Sequence, residues 1–235
     1  MSDIPLNEFP APHVAVDVAV MTLMGNSLSV LLVRRTGDRH GSWALPGRFV
    51  RERERLADTV SIALSDKCGL SPTLLDGRSP RQLHLFDDPD RDDRGWVMSA
   101  AHLIALPFRL ISEVMTQRTD LRCVPVAEIL SEPDSKEQLP YGQVEIVRYA
   151  TAEMRELYRQ FPDPEGLLVE SMFTLAELRA VHVGVLGHDW QIDTFRRHML
   201  GLLTDLDSMT VGRAGRPASL YAKPTESTEP TESIT

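Results

Sequence analysis

The chain is short of cysteine, of long unbroken apolar runs and of net positive charge. Its 235 residues hold two cysteines, Cys68 and Cys123, far apart, with no Cys-x-x-Cys pair and no histidines clustered beside them. That argues against a structural zinc and for a reducing cytoplasm. The most apolar early run, residues 14–33, is broken by Asp17, Gly25, Asn26 and Ser27. It is too interrupted for a membrane span and reads as two strands and a turn. No basic-then-apolar signal opens the sequence, so neither export nor membrane association is expected. Lys and Arg total 25 against 34 Asp and Glu, a formal charge of −9. A chain-wide basic surface for nucleic acid is therefore ruled out, and any DNA contact has to be local.

What is present is enough apolar residue (42%) for one large core or two small ones. Residues 1–12, with Pro5, Pro10 and Pro12, form a lead-in. Val14–Val20 is a Val-rich strand, Gly25-Asn26 a turn and Ser29–Arg34 the return strand. Residues 36–42 are a polar loop. Further strands are expected over 82–87, 96–106 and 120–126, with a turn of helix over 127–130. Between 87 and 96 lies a charged loop, Asp88-Pro89-Asp90-Arg91-Asp92-Asp93-Arg94-Gly95. It is a solvated charge run or a cation loop. Its spacing fails the EF-hand pattern, and Arg91 and Arg94 compete for the carboxylates. A strong amphipathic helix follows over 143–158, with Val144, Val147, Ala150, Met154 and Leu157 on its apolar face. Strands mixed with helices on this scale predict a layered α/β domain over 13–160.

Gly47–Leu70, GRFVRERERLADTVSIALSDKCGL, organises that domain. It reads as a strand end, a tight loop and a helix over 56–68. Leu56, Val60, Ala63 and Leu64 make the helix face, Asp58 suits its N-terminal end and Gly69 stops it. Trp43-Ala44-Leu45-Pro46-Gly47, the Phe49-Val50 pair, Glu54, Leu56 and Cys68-Gly69-Leu70 resemble the frame of the Nudix box, Gly-x5-Glu-x7-Arg-Glu-U-x-Glu-Glu-x-Gly-U with U aliphatic, the U between the acidic pairs falling on Leu64. Counting back from Gly69 puts Arg48 at the first Gly of that pattern, Ile62-Ala63 at its Arg-Glu and Asp66-Lys67 at its Glu-Glu. In the family those helix carboxylates converge on Mg²⁺ bridging a diphosphate. One acid, Asp66, remains at the three positions, and Lys67 puts a cation where an anion belongs. Unit charges about 4 Å apart interact by roughly 4 kcal/mol at an effective dielectric near 20, so the exchange is severe for a divalent ion. The resemblance implies a Nudix-like α/β/α sandwich with a mixed sheet, but without its metal-assisted hydrolysis and without a resident cofactor.

Residues 161–172, opening Phe161-Pro162-Asp163-Pro164-Glu165-Gly166, read as a linker. Beyond it Thr174 and Glu177 form a capping box for a helix that runs to Leu186 and stops at Gly187. A second helix is expected over 193–203, capped at or near Asp193. Phe195, Met199 and Leu202 face inward; Thr194, Arg196, Arg197 and His198 face out. A Gly/Arg turn over 210–217 and a strand over 218–221 complete a winged helix-turn-helix over 173–223, with a small all-α packing module as the alternative. The 224–235 tail, PTESTEPTESIT, reads as disordered. The motifs FTLAEL, DTFRR and GRAGRPASLY resemble the C-terminal half of the Nudix-related transcriptional regulators of NAD metabolism.

That resemblance implies a homodimeric repressor of NAD-biosynthesis or salvage genes, bound to double-stranded operator DNA and released by ADP-ribose. The expected effector residues are Arg34, Arg48, Phe49, Lys67, Arg91 and Trp96. Trp43 is a further aromatic that either stacks on a base or belongs to the core. The expected DNA residues are Thr174, Thr194, Arg196, Arg197, Arg213 and Arg216. The alternative is a hydrolase of ADP-ribose or a related nucleoside diphosphate, with Glu52, Glu54 and Asp66 as metal ligands. A third reading is a binding module without DNA contact.

Overall fold

The computed structural model describes residues 5, 8–35, 42–75, 77–131, 139–168, 170–210 and 217–224. The Val-rich stretch becomes one long strand, β1 (His13–Met24), which turns at Gly25-Asn26 into β2 (Ser27–Arg34). Around them lie β3 (Trp43–Ala44), β4 (Gly47–Phe49), β5 (Arg81–Phe86), β6 (Val97–Ala105) and β7 (Leu121–Pro125). The seven strands form one sheet in the order β3-β2-β1-β6-β5, with β4 also on β1 and β7 also on β2. β1 and β6 run parallel and the other pairs antiparallel, so the sheet is mixed.

Strand alternation sends successive side chains to opposite faces. On one face Val16, Val18 and Val20 pack with Val60, Ala63, Leu64 and Cys68 of the box helix and Ile111 of α2 (Phe108–Met115). On the other, Ala19 and Met21 pack with Ile146, Val147, Ala150 and Met154 of α4 (Gln143–Gln160). The α/β/α sandwich is therefore present. The short α3 (Val126–Leu130) follows β7 directly.

Three details of this domain differ from the sequence expectation. The box helix α1 (Leu56–Ala63) finishes in a π-helical turn, Leu64–Cys68, before Gly69 at φ 71. That widened turn keeps both Leu64 and Cys68 buried. The buried face of α4 is rotated: Ile146 and Tyr158 are fully buried, while Val144 and Leu157 are half-exposed. α2 follows Pro107 and was not expected.

The segment read as a linker is anchored. Asp163 is fully buried at φ 47, and its carboxylate accepts from the Tyr158 hydroxyl (2.7 Å) and the amides of Leu167 (2.8 Å) and Leu168 (3.1 Å). Leu167 joins the sheet-and-α4 core. The turn residues signal a bend correctly; burial follows because the bend's carboxylate satisfies two otherwise unpaired amides.

Beyond it, α5 (Leu175–Leu186) starts at the full Thr174–Glu177 capping box and ends at Gly187, as the sequence indicates. Mid-helix Gly184 is needed for close approach: a Cβ there would lie 2.6 Å from Leu23 Cδ2. α6 (Ile192–Leu200) begins within a residue of expectation, is capped by the nearby Gln191, and ends at Leu200 rather than 203. β8 (Thr204–Met209) and β9 (Ser219–Ala222) form a two-stranded ribbon, and Phe173 bridges to Tyr221. Phe173, Leu178, Phe195, Met199 and Tyr221 make a separate small core. Two helices and a ribbon on their own core form a winged helix. Among the described residues no helix is long and apolar enough to cross a membrane.

Candidate functional site

Gly47 fixes the floor of the main cavity. It pairs with Asp17 across β4 and β1, and any Cβ there would sit 2.6 Å from both Asp17 Oδ1 and Val16 O. Glycine lets the box strand lie directly on the Asp17 carboxylate. Asp17 is the one acid in a Val-rich strand and is 7% exposed. It accepts from Ser99 Oγ (2.6 Å), Gln143 Nε2 (2.7 Å) and the Arg91 guanidinium (3.4 Å). Gln143 Oε1 accepts from Leu45 N at 2.8 Å, and Arg91 also donates to Tyr141 O at 2.7 Å. One carboxylate thus ties β1, β6, the charged loop and the start of α4 together.

Above this floor is a cavity of about 490 Å³. Its described lining holds seven cationic side chains, Arg34, Arg35, Arg48, Lys67, Arg91, Arg94 and Arg118, against four acids, Asp17, Asp66, Asp92 and Asp120. Two of the arginines are braced by neighbouring acids. Arg94 forks onto Asp92 (2.8 and 2.7 Å) and Arg118 onto Asp120 (2.9 and 2.6 Å). Each pairing holds its carboxyl below the usual carboxylate range, chiefly through the arginine hydrogen bonds. Within the charged loop, Asp92 therefore serves to brace Arg94. Arg94 lies 4.0 Å from the Tyr141 ring centroid and 5.2 Å from that of Phe49, a flat guanidinium between two aromatic rings.

The box residues divide. Arg48, at the family's first glycine position, pairs with Glu54 at 3.2 Å. Glu54 also accepts from Arg51 N (3.1 Å) and Thr59 Oγ1 (2.9 Å), and the backbone bond from Arg51 leads in lowering its pKa. Asp66 and Lys67 both line the cavity, and Ala63 is buried in the core. Of the acids expected as metal ligands in the hydrolase reading, Asp66 lines the cavity, Glu54 accepts from Arg48, Arg51 N and Thr59 Oγ1, and Glu52 is exposed. Among the described residues no three His, Cys, Asp or Glu side chains converge as a metal site. Of the three box positions that carry helix carboxylates in the family, 63, 66 and 67, only Asp66 is an acid here, and Lys67 lies beside it in the lining.

Arg34, Arg48, Phe49, Lys67 and Arg91 are brought together here. Trp96 is not: it is 45% exposed just before β6, outside the lining. Trp43 lies between the guanidinium groups of Arg34 (5.1 Å) and Arg122 (4.3 Å) and packs on the sheet core. Asp17, Arg35, Arg94, Arg118, Tyr141 and Gln143 are lining residues absent from the sequence-based set. A lone acid within a buried valine strand was the available signal for Asp17.

On the winged helix, Thr194, Arg196, Arg197 and His198 are exposed, while Phe195 and Met199 anchor α6 from below. Arg196 and Arg197 have no ion-pair partner among the described residues. Arg179 and Lys223 are occupied, by Asp189 with Trp190 O and by Asp163. Thr174 is corrected to a structural role. It is 7% exposed, and its hydroxyl donates to Glu177 Oε2 and accepts from Glu177 N. Arg213 and Arg216, with the Gly/Arg turn, lie outside the described residues, as do most of the 36–42 loop and of the tail.

Comparison with known proteins gives the same two parts. Residues 167–222 match the family model of the NrtR DNA-binding winged helix domain. The ADPR-responsive transcriptional repressor NtrR of Acinetobacter baylyi is 26% identical over 220 residues, spanning 92% of this chain and 83% of that protein. The crystal structure of Shewanella oneidensis NrtR complexed with a 27mer DNA aligns with a TM-score of 0.71 at 27% identity, covering 90% of this chain and 93% of the other. The NUDIX domain of the same S. oneidensis protein, complexed with ADP ribose, shares the fold at a TM-score of 0.50 and 24% identity, covering 64% of this chain and 94% of that one. The chain is therefore similar along most of its length to the NrtR proteins, with a Nudix-like α/β fold followed by a winged helix that matches the NrtR DNA-binding domain.

Proposed function

We propose that the chain is a transcriptional repressor that binds operator DNA through its winged helix and leaves it when ADP-ribose fills the Nudix-domain cavity. The observation that carries this reading is the cavity itself, in which a cluster of cations stands where a Nudix enzyme gathers carboxylates around metal. Arg34, Arg48, Lys67 and Arg91 take the diphosphate in place of a metal ion, since guanidinium forks match phosphate oxygens. Phe49, with Arg94 and Tyr141, offers a flat wall for the adenine. A receptor that does not cleave its ligand keeps its signal, so the missing carboxylates serve the function.

On the DNA side, Thr194, Arg196 and Arg197 of α6 enter the major groove, and Arg213 and Arg216 contact backbone from the wing. The names of the A. baylyi and S. oneidensis relatives support an effector of this kind and a DNA partner. The protein works as a homodimer in the cytoplasm, on genes of NAD biosynthesis or salvage, reading half-sites about 10 bp apart or a multiple of that.

Calorimetry with ADP-ribose, in chelator and then in Mg²⁺, tests the receptor half, with AMP release followed in parallel. Binding that persists in chelator, weakens in Lys67→Ala and yields no AMP is expected. Binding that requires Mg²⁺ and releases AMP steadily makes the protein a hydrolase instead.

A further inference from the structure

α4 has one end in the cavity and the other packed against α5, the first helix of the winged helix. Its first residue, Gln143, is 3% exposed and holds Asp17 and Leu45 N in the cavity floor. The residue before its N-cap, Tyr141, is held by three arginines of the cavity. Arg35 bonds its hydroxyl, Arg91 its carbonyl oxygen (2.7 Å), and Arg94 lies over its ring. Tyr141 and Gly142 both have positive φ (58 and 65), which sets the entry into the helix. An anion that draws those arginines toward itself changes the grip on Tyr141.

At the far end Tyr158 is fully buried and donates to Asp163. The same Asp163 accepts from Lys223 Nζ at the foot of the ribbon, through its carbonyl (3.1 Å) and its carboxylate (3.4 Å). Its amide faces His182 Nε2 at 3.4 Å. The His182 ring, on α5, meets Tyr158 and Phe195 edge-on with centroids 5.1 Å away in each case. Phe195 is the buried anchor directly beside Arg196 and Arg197. Tyr158, Asp163 and His182 thus join α4 to the ribbon and to α6.

Between these ends the helix is unbroken. Residues 143–160 contain no Gly or Pro, the usual causes of a kink. At 1.5 Å per residue the two ends lie about 22 Å apart. The stripe Ile146, Val147, Ala150 and Met154 is fully buried on the sheet. Such a helix slides or tilts as one piece.

Building on the proposed ADP-ribose response, we propose that α4 is the rod that carries cavity occupancy to the recognition helix. Its input is Tyr141 and its output is the Tyr158–Asp163–His182 cluster. Tyr158, Asp163 and His182 are positioning residues and touch neither ligand nor DNA.

The test uses the full chain and compares wild type with Tyr158→Phe and Asp163→Asn. Operator affinity is measured by fluorescence anisotropy with and without ADP-ribose, and ADP-ribose affinity by calorimetry. Tyr158→Phe is expected to bind ADP-ribose within about twofold of wild type. Its ADP-ribose-induced change in operator Kd is expected to shrink severalfold. An independent readout on wild type is hydrogen exchange at the Leu167 and Leu168 amides, which both bond Asp163; ADP-ribose is expected to change their protection. Variants that respond to ADP-ribose as fully as wild type, or exchange at those amides that ADP-ribose leaves unchanged, overturn the rod while leaving the effector reading intact. A wild-type protein whose operator affinity ignores ADP-ribose overturns both.

Discussion

Replacing Asp17 by Asn keeps the shape of the cavity floor and removes its charge. Asp17 Oδ2 accepts from Arg91 and Ser99, and Oδ1 from Gln143. An asparagine can offer its oxygen to only one side. With the oxygen toward Arg91 and Ser99, its amide nitrogen faces Gln143 Nε2, donor against donor. Gln143 cannot relieve this by flipping, because its own Oε1 is taken by Leu45 N. With the asparagine turned the other way, the amide faces the Arg91 guanidinium, which has no acceptor to give. Arg91, its side chain 5% exposed, also loses its counter-ion. Breaking a buried pair from one side costs roughly 3–5 kcal/mol, and a stranded buried donor about 1–3. Arg91 keeps Tyr141 O, which moderates the sum, so the expected loss is about 3–4 kcal/mol. Urea unfolding followed by tryptophan fluorescence reads it. Ser99→Ala, which takes away one of three donors to a carboxylate, is expected to cost about 1–2 kcal/mol. An Asp17→Asn loss below about 1 kcal/mol, or no greater than that of Ser99→Ala, would refute the network as the floor's organising element.

Gly47→Ala forces a Cβ against Asp17 Oδ1 and Val16 O, both at 2.6 Å. It is expected to cost at least about 1–3 kcal/mol in the same unfolding assay and to weaken ADP-ribose binding; an unperturbed variant would mean that the strand contact is looser than drawn. Arg196→Ala and Arg197→Ala are each expected to weaken operator binding and to lower the slope of log K against log salt by about one, while leaving ADP-ribose affinity alone. Salt slopes equal to wild type would remove α6 from the DNA interface. Burial holds the His182 imidazole down to about 4, and its Nδ1 is buried with no hydrogen-bond partner among the described residues. The unfolded chain takes up that proton near pH 6.5, so this contribution is whole above 6.5 and is lost as pH falls toward 4. The loss amounts to about 3 kcal/mol once pH reaches 4. A stability profile of His182→Phe that falls as steeply as wild type between pH 6.5 and 4 would rule it out.

Local signals carried much of the fold. The Thr174–Glu177 box, the Gly187 stop, the Gly25-Asn26 turn and the burial of Val60, Ala63 and Leu64 depend on residues within a turn or two of each other. The cavity's cations were partly legible through the box frame, which fixed Arg48 and Lys67. The charged loop showed that Arg91 and Arg94 compete for its acids, and Arg94 does fork onto Asp92. What stayed hidden depends on distance along the chain. Asp17 and Gln143 are 126 residues apart and meet only because α4 crosses the sheet at that strand. Trp96 has the chemistry of a stacking residue but lies outside the lining. Thr174 could cap or contact phosphate, and the cap consumes its hydroxyl. Turn-forming residues at 161–166 marked a bend, while burial of that bend required Tyr158 and Lys223 from elsewhere.

An ADP-ribose receptor built into a DNA-binding protein has one decisive assay, a gel shift of promoter DNA from an NAD-biosynthesis operon of the source genome, with and without ADP-ribose. A retarded complex that ADP-ribose dissolves is the expected result. Absence of a complex, or one that ADP-ribose leaves untouched, would contradict it.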